Sequence, residues 1–176
     1  MGAGDGMSRA TQRGLPGLGA RLPAGMAAAL GRIPESAIAL LARLSIGLTF
    51  WLSGQTKIEG LVLDPVGWHA EFGIPHVSAG AIELFRSEYA LPLLPPELAA
   101  NLAALAEHAF PVLLVFGLAT RLSAFALLTM TAVIQVFVYP LAYPTHLLWA
   151  TVLLYLIARG PGAWSMDHLI ASRVAS

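Results

Sequence analysis

Glu107 and Arg43 are full charges inside stretches of sequence that are otherwise apolar over the length of a membrane crossing, and His146, Gln135, Gln55 and Lys57 stand near the ends of such stretches. A carboxylate and an imidazole in an apolar setting can take up and release protons, and ionisable groups at membrane depth are functional candidates because burying them is expensive. At 1.5 Å of rise per residue, Arg43 lies roughly 10 Å from the N-terminal end of its stretch and Glu107 roughly 15 Å from the C-terminal end of the next. An arginine side chain spans that difference, so an Arg43–Glu107 ion pair is expected, as a clip between helices or as a functional pair. Pro111, four residues after Glu107, cannot donate to its carbonyl, which predicts a free acceptor and a kink there. Gln135, His146, Gln55 and Lys57 come at similar depth near the outer surface and are expected to converge on one outward-facing pocket.

His108 follows Glu107 and points about 100° away from it around the helix, so the two do not share one small ligand. A hydrogen bond to a neighbouring helix is its expected role. The spacing of His69, His76, His108 and His146 matches no metal motif, and no metal site is expected. Ala39, Arg43 and Gly47 repeat at i, i+4, i+8, as do Ala99, Ala103 and Glu107, and such faces let helix backbones approach closely.

The elements that position these residues follow from composition. The 176 residues are 57% hydrophobic and 11% charged, far below the charge of a soluble domain. The apolar material falls into four segments, 36–54, 98–117, 122–139 and 144–159, each about long enough to cross a 30 Å hydrocarbon core as a helix. The expected fold is all-α: a polytopic membrane protein with a four-helix transmembrane bundle over 36–167 and a long outer loop between helices 1 and 2. That loop carries Trp68, His69, Phe72, Phe85 and Tyr89, with a short helix predicted over Ser78–Tyr89. Its aromatics and acids suit either a cap over the helix ends or a segment at the membrane interface.

Placing the N-terminus in the cytoplasm puts Arg9, Arg13, Arg21, Arg32, Arg121, Arg159 and Arg173 inside and only Lys57 and Arg86 outside. Both termini are then cytoplasmic. Residues 1–35, rich in Gly, Ala, Arg and Pro, read as a flexible cytoplasmic tail without a clear signal peptide, and 168–176 as a cytoplasmic C-terminal tail. With no cysteine, the chain has no thiol-based redox cycle of its own.

Three elements together resemble the DoxX family: the run Arg43-Leu-Ser-Ile-Gly-Leu-Thr-Phe-Trp-Leu-Ser-Gly-Gln-Thr-Lys57, the run Glu107-His-Ala-Phe-Pro-Val-Leu-Leu-Val-Phe-Gly-Leu-Ala-Thr-Arg121, and the polar helix entry at His146. The resemblance covers about Ile38 to Asp167 and carries over Arg43, Lys57, Glu107 and Arg121 as matched polar positions. It implies a four-helix protein of the bacterial inner membrane, similar to the membrane subunit of thiosulfate:quinone oxidoreductase.

Three readings of function follow. In the first, the chain is a membrane subunit of a redox complex that holds a quinone, its one cofactor candidate, not covalently bound. Glu107 and His146 are then the catalytic candidates, moving protons or bonding quinone oxygens, and Arg43, Lys57, Gln135 and Arg121 the binding candidates. In the second it is a non-catalytic membrane partner or assembly protein, and in the third a small solute or ion carrier. The expected partners are the lipid bilayer, a redox protein and a second copy of the chain, with no nucleic acid.

Overall fold

The computed structural model describes Met26 and residues 31–174, so the flexible tail expected over 1–35 falls almost wholly outside the described residues. Among the described residues from Pro34 onward there are six α-helices, two π turns, a 3₁₀ turn over Pro140–Ala142 and one hairpin. α1 (Glu35–Gln55) begins after the extended Pro34, with an acid in its first turn. β1 (Ile58–Asp64) and β2 (His69–Val77) form an antiparallel pair. α2 (Ala79–Leu84) starts where the Ser78 hydroxyl accepts the Ala81 N–H, and it unwinds through a π turn over Phe85–Tyr89. α3 (Pro96–Phe116), α4 (Thr120–Val133, prolonged by a π turn over Ile134–Val138), α5 (Tyr143–Arg159) and α6 (Met166–Val174) complete it.

Four helical segments, 35–55, 96–116, 120–138 and 140–159, are long and apolar enough to cross a membrane, within four residues of the expected bounds. α1 packs on α3, α3 on α4, α4 on α5 and α5 back on α1, a closed four-helix ring. Ile46, Phe50, Leu114, Leu127, Leu153 and Leu156 fill its centre. Leu41, Leu105, Leu122 and Leu148 point outward and exposed, the arrangement expected when the surrounding solvent is lipid. The α1–α3 contact runs along the small-residue faces: a Cβ on Gly47 would stand 3.5 Å from the Pro111 carbonyl, and one on Gly54 would meet the His108 ring at 2.8 Å. α3 continues helical through the buried Pro111.

The hairpin was not foreseen. Its signal is Asp64-Pro65-Val66-Gly67, where the Asp64 carboxylate accepts the N–H groups of Val66 and Gly67 and closes an Asx turn. Leu61, Leu63 and Phe72 fall on one face of the pair, and the register shifts between Glu59 and Leu61, where Gly60, at φ +85°, stands opposite the three residues 73–75 of β2.

α3 ends in a Schellman motif: Leu118 N–H donates to the Leu113 carbonyl and Gly117 N–H to that of Leu114, with Gly117 at φ +67°. The next helix begins three residues later. The carboxylate of Asp167, entering from α6, accepts the N–H groups of Ala119 and Thr120 at 2.8 and 2.9 Å and caps α4. A Cβ on Gly117 would fall 2.5 Å from Ser165 Cβ and 2.6 Å from Arg43 Nη1. Gly117→Ala combines left-handed strain with a collision against a buried guanidinium and is expected to destabilise the bundle by about 2–4 kcal/mol. Thermal unfolding in mild detergent checks this: an unchanged midpoint would show that the turn does not need glycine.

Candidate functional site

Arg43 and Glu107 do not pair. The Arg43 guanidinium, 1% exposed, donates to the carbonyls of Leu114 (3.2 Å), Val115 (3.0 Å) and Trp164 (2.6 Å) and so closes the C-terminal end of α3. The reason is direction. Side chains on a helix lean toward its N-terminus, and α1 and α3 are antiparallel neighbours. Arg43 therefore leans toward the Gly117 turn while Glu107 leans the opposite way, toward the start of α3. A cation at carbonyls left open by a helix end is also a favourable site in its own right.

Glu107 is held by the last turn of α1 and the residue Lys57 just past it. Its Oε2 lies 2.7 Å from Lys57 Nζ, with the two side chains 2% and 8% exposed. The Ser53 hydroxyl bridges them, donating to Glu107 Oε1 at 3.2 Å and accepting from Lys57 Nζ at 3.1 Å, and the Ser53 carbonyl accepts from Lys57 as well. The ammonium thus has two hydrogen-bond acceptors on Ser53 and its counter-ion in the Glu107 carboxylate. Ser53 escaped notice in the sequence, although its i, i+4 spacing to Lys57 was visible.

Glu107, Lys57 and Ser53 stand on one wall of a cavity of about 490 Å³ between α1, α3, α4 and α5, and His146 stands on another. The volume falls within the roughly 300–1,000 Å³ usual for small-molecule sites. Apart from these groups the lining is mainly apolar, with alanines 99, 103, 106 and 126 leaving the space open. Leu102 and Thr129, both exposed, lie at its edge, so it opens on the flank between α3 and α4. Both π turns border it, and the rings of Tyr89 and Tyr139, 5.7 Å apart and edge to face, meet across them.

The polar residues expected in one pocket divide. Lys57 and His146 line the cavity; Gln135 stands behind His146, its Oε1 2.7 Å from the ring Nδ1 and its Nε2 donating to the Pro140 carbonyl at 2.7 Å. Gln55 is diverted to the hairpin and to His108: its Oε1 accepts the Leu63 N–H, and its Nε2 lies 2.8 Å from His108 Nε2. His108 thus bonds a neighbouring helix, as expected, and its Nδ1 bonds the Ala104 carbonyl. Arg121 is exposed at the start of α4, beside Gly160 and far along the helix from the cavity lining. Among the described residues no group of three or more His, Cys, Asp or Glu could hold a metal ion.

Lys57→Met leaves a carboxylate buried without its cation and is expected to lower stability by about 3–5 kcal/mol. Adding Glu107→Leu removes the stranded charge and should restore most of that loss. Unfolding midpoints of the single and double variants in the same detergent decide it; a double variant no more stable than the single would mean that the pair is not energetically coupled.

A family model described as DoxX matches residues 38–140. No curated protein and no solved structure matches the chain. The match spans more than half the sequence and takes in both Arg43 with its turn and Lys57 with Glu107, so with its four apolar helices the chain is an integral membrane protein of the DoxX family.

Proposed function

We propose that this protein is the membrane subunit of a redox complex and holds a quinone in the cavity between α1, α3, α4 and α5. The observation that carries the reading is the pairing of an apolar chamber, opening sideways between α3 and α4, with two polar poles, Glu107–Lys57 and His146. A lipid-dissolved molecule with a polar ring and an apolar tail fits such a chamber, the ring against the poles and the tail through the flank. Quinone chemistry exchanges protons together with electrons, and those protons need acceptors and donors inside an otherwise apolar wall. Glu107, whose carboxylate is oriented by Lys57 and Ser53, holds or releases a proton at Oε1 or Oε2; His146 does so at Nε2. With no cysteine in the chain, electrons come through a partner protein. The hairpin and α2 face the outside of a bacterial inner membrane and both termini the cytoplasm, the orientation that the arginine distribution favours.

A second reading, a non-catalytic partner that recruits other proteins, draws on the hairpin, where Trp68, Phe72 and Ile74 are 93%, 79% and 87% exposed. Mass spectrometry of the chain purified from its native membrane separates the two. Bound quinone in stoichiometric amount with a redox protein is expected; a protein partner without quinone would favour recruitment. Within the complex, Glu107→Gln combined with Lys57→Met removes the titratable group without stranding a buried charge, and should lower quinone-dependent turnover by about 10²-fold or more while the variant still assembles. Full turnover would remove Glu107 from the proton route.

A further inference from the structure

Two histidine–glutamine pairs sit in this bundle, and their bonding fixes the proton on each ring. At His108 the Ala104 carbonyl can only accept, so Nδ1 carries the hydrogen. Nε2 is then an acceptor for the Gln55 amide nitrogen, whose own oxygen takes the Leu63 N–H. Every group in that pair is spent.

At His146 the same logic leaves something over. The Pro140 carbonyl can only accept, so the amide nitrogen of Gln135 must face it and Oε1 must face the imidazole. A carbonyl oxygen only accepts, so Nδ1 of His146 carries the hydrogen and, in the neutral ring, Nε2 presents a bare lone pair. No described bond uses it, on a residue 6% exposed that lines the cavity. The opposite pole has the same polarity. The Ser53 hydroxyl gives its proton to Glu107, the Lys57 ammonium donates to Ser53 and is ion-paired with the Glu107 carboxylate, and what Glu107 offers is carboxylate lone pairs. Thr49 and Thr129 donate to the Ser45 and Phe125 carbonyls and Tyr139 to Glu88. On this wall Tyr89 is hydrogen-bonded with Tyr139, no described bond uses the Trp149 indole proton, and both poles are acceptors.

We propose that Gln135 is a positioning residue that locks His146 as a hydrogen-bond acceptor, so that the cavity takes the hydroxyl-bearing, reduced form of a quinone-class ligand in preference to the oxidised, carbonyl-bearing form. The proposal rests on the quinone reading above. A hydroquinone offers two O–H donors to the two acceptor poles; the oxidised ring sets its carbonyl oxygens against lone pairs and leaves buried groups unpaired, a difference of about tenfold in affinity.

The test titrates the purified full chain in detergent with a short-tailed benzoquinone and with the same compound kept reduced, reading quenching of tryptophan fluorescence, to which Trp149 on the cavity wall contributes. Tighter binding of the reduced form by about tenfold is expected, falling toward parity in Gln135→Leu, while Gln55→Leu, at the pair that does not line the cavity, leaves the ratio unchanged. Nitrogen-15 spectra of histidine-labelled protein read the ring directly and stand even where Gln135→Leu does not fold: Nδ1 protonated and Nε2 bare at His146 in the unsubstituted chain. Equal binding of both forms, or a preference that survives Gln135→Leu, or a proton found on Nε2, overturns the lock and leaves the quinone reading in place. Binding of neither form overturns the quinone reading, and the selection falls with it.

Discussion

A charge that must stay in an apolar layer has to find its partners within the reach and lean of its own side chain, and that constraint organises this bundle. Because α1 and α3 run in opposite directions and each leans its side chains toward its own N-terminus, Arg43 and Glu107 are carried to opposite ends of the same interface. Each then completes a different local set: three backbone carbonyls for the arginine, a serine from the last turn of α1 and the lysine just beyond it for the glutamate. Both charges thereby gain polar partners inside the bundle, which is the condition under which buried charge is tolerable at all.

The separation divides labour along the bundle axis. At the Gly117 end, Arg43 takes carbonyls of the last turn of α3, Val115 among them, while Asp167 takes the open N–H groups of α4, so the two ends of a three-residue connection are capped by charged side chains of opposite sign. Helix macrodipoles favour both placements. This level holds α3 and α4 together where they join. The other level has volume, because small side chains line it and because α2 and its π turn, rather than a fifth spanning helix, cover that end.

Much of this was legible in the sequence. Apolar length alone placed the four spans, and the alanine and glycine spacing on α1 and α3 placed their shared face. What linear reading got wrong was the pairing of Arg43 with Glu107, since rise per residue gives depth but not the lean of a side chain, and since it ignored the carbonyls that a helix end leaves open. Lys57 was read as leaving helix 1 toward an outer pocket; it lies beyond the last residue of α1 and folds back on Ser53. Gln55 was read with it, but the hairpin, hidden in a segment taken as loop, supplies the Leu63 N–H that draws the amide away. The four residues Asp64–Gly67 carry the hairpin's turn signal, which is weak beside the hydropathy of the four spans.

The same local accounting explains why the cavity can be polar at its poles without disturbing the bundle. Each ionisable or amide group at its edge is tied first to the protein: Glu107 through Lys57 and Ser53, His146 through Gln135 and the Pro140 carbonyl. The π turn at Ile134–Val138 matters here, because it ends α4 in the geometry that brings the Pro140 carbonyl within 2.7 Å of the Gln135 amide. A regular helical end would present different backbone atoms to that side chain. The irregular backbone is thus the element that sets which way the amide faces, and through it which ring nitrogen of His146 is bonded to the protein.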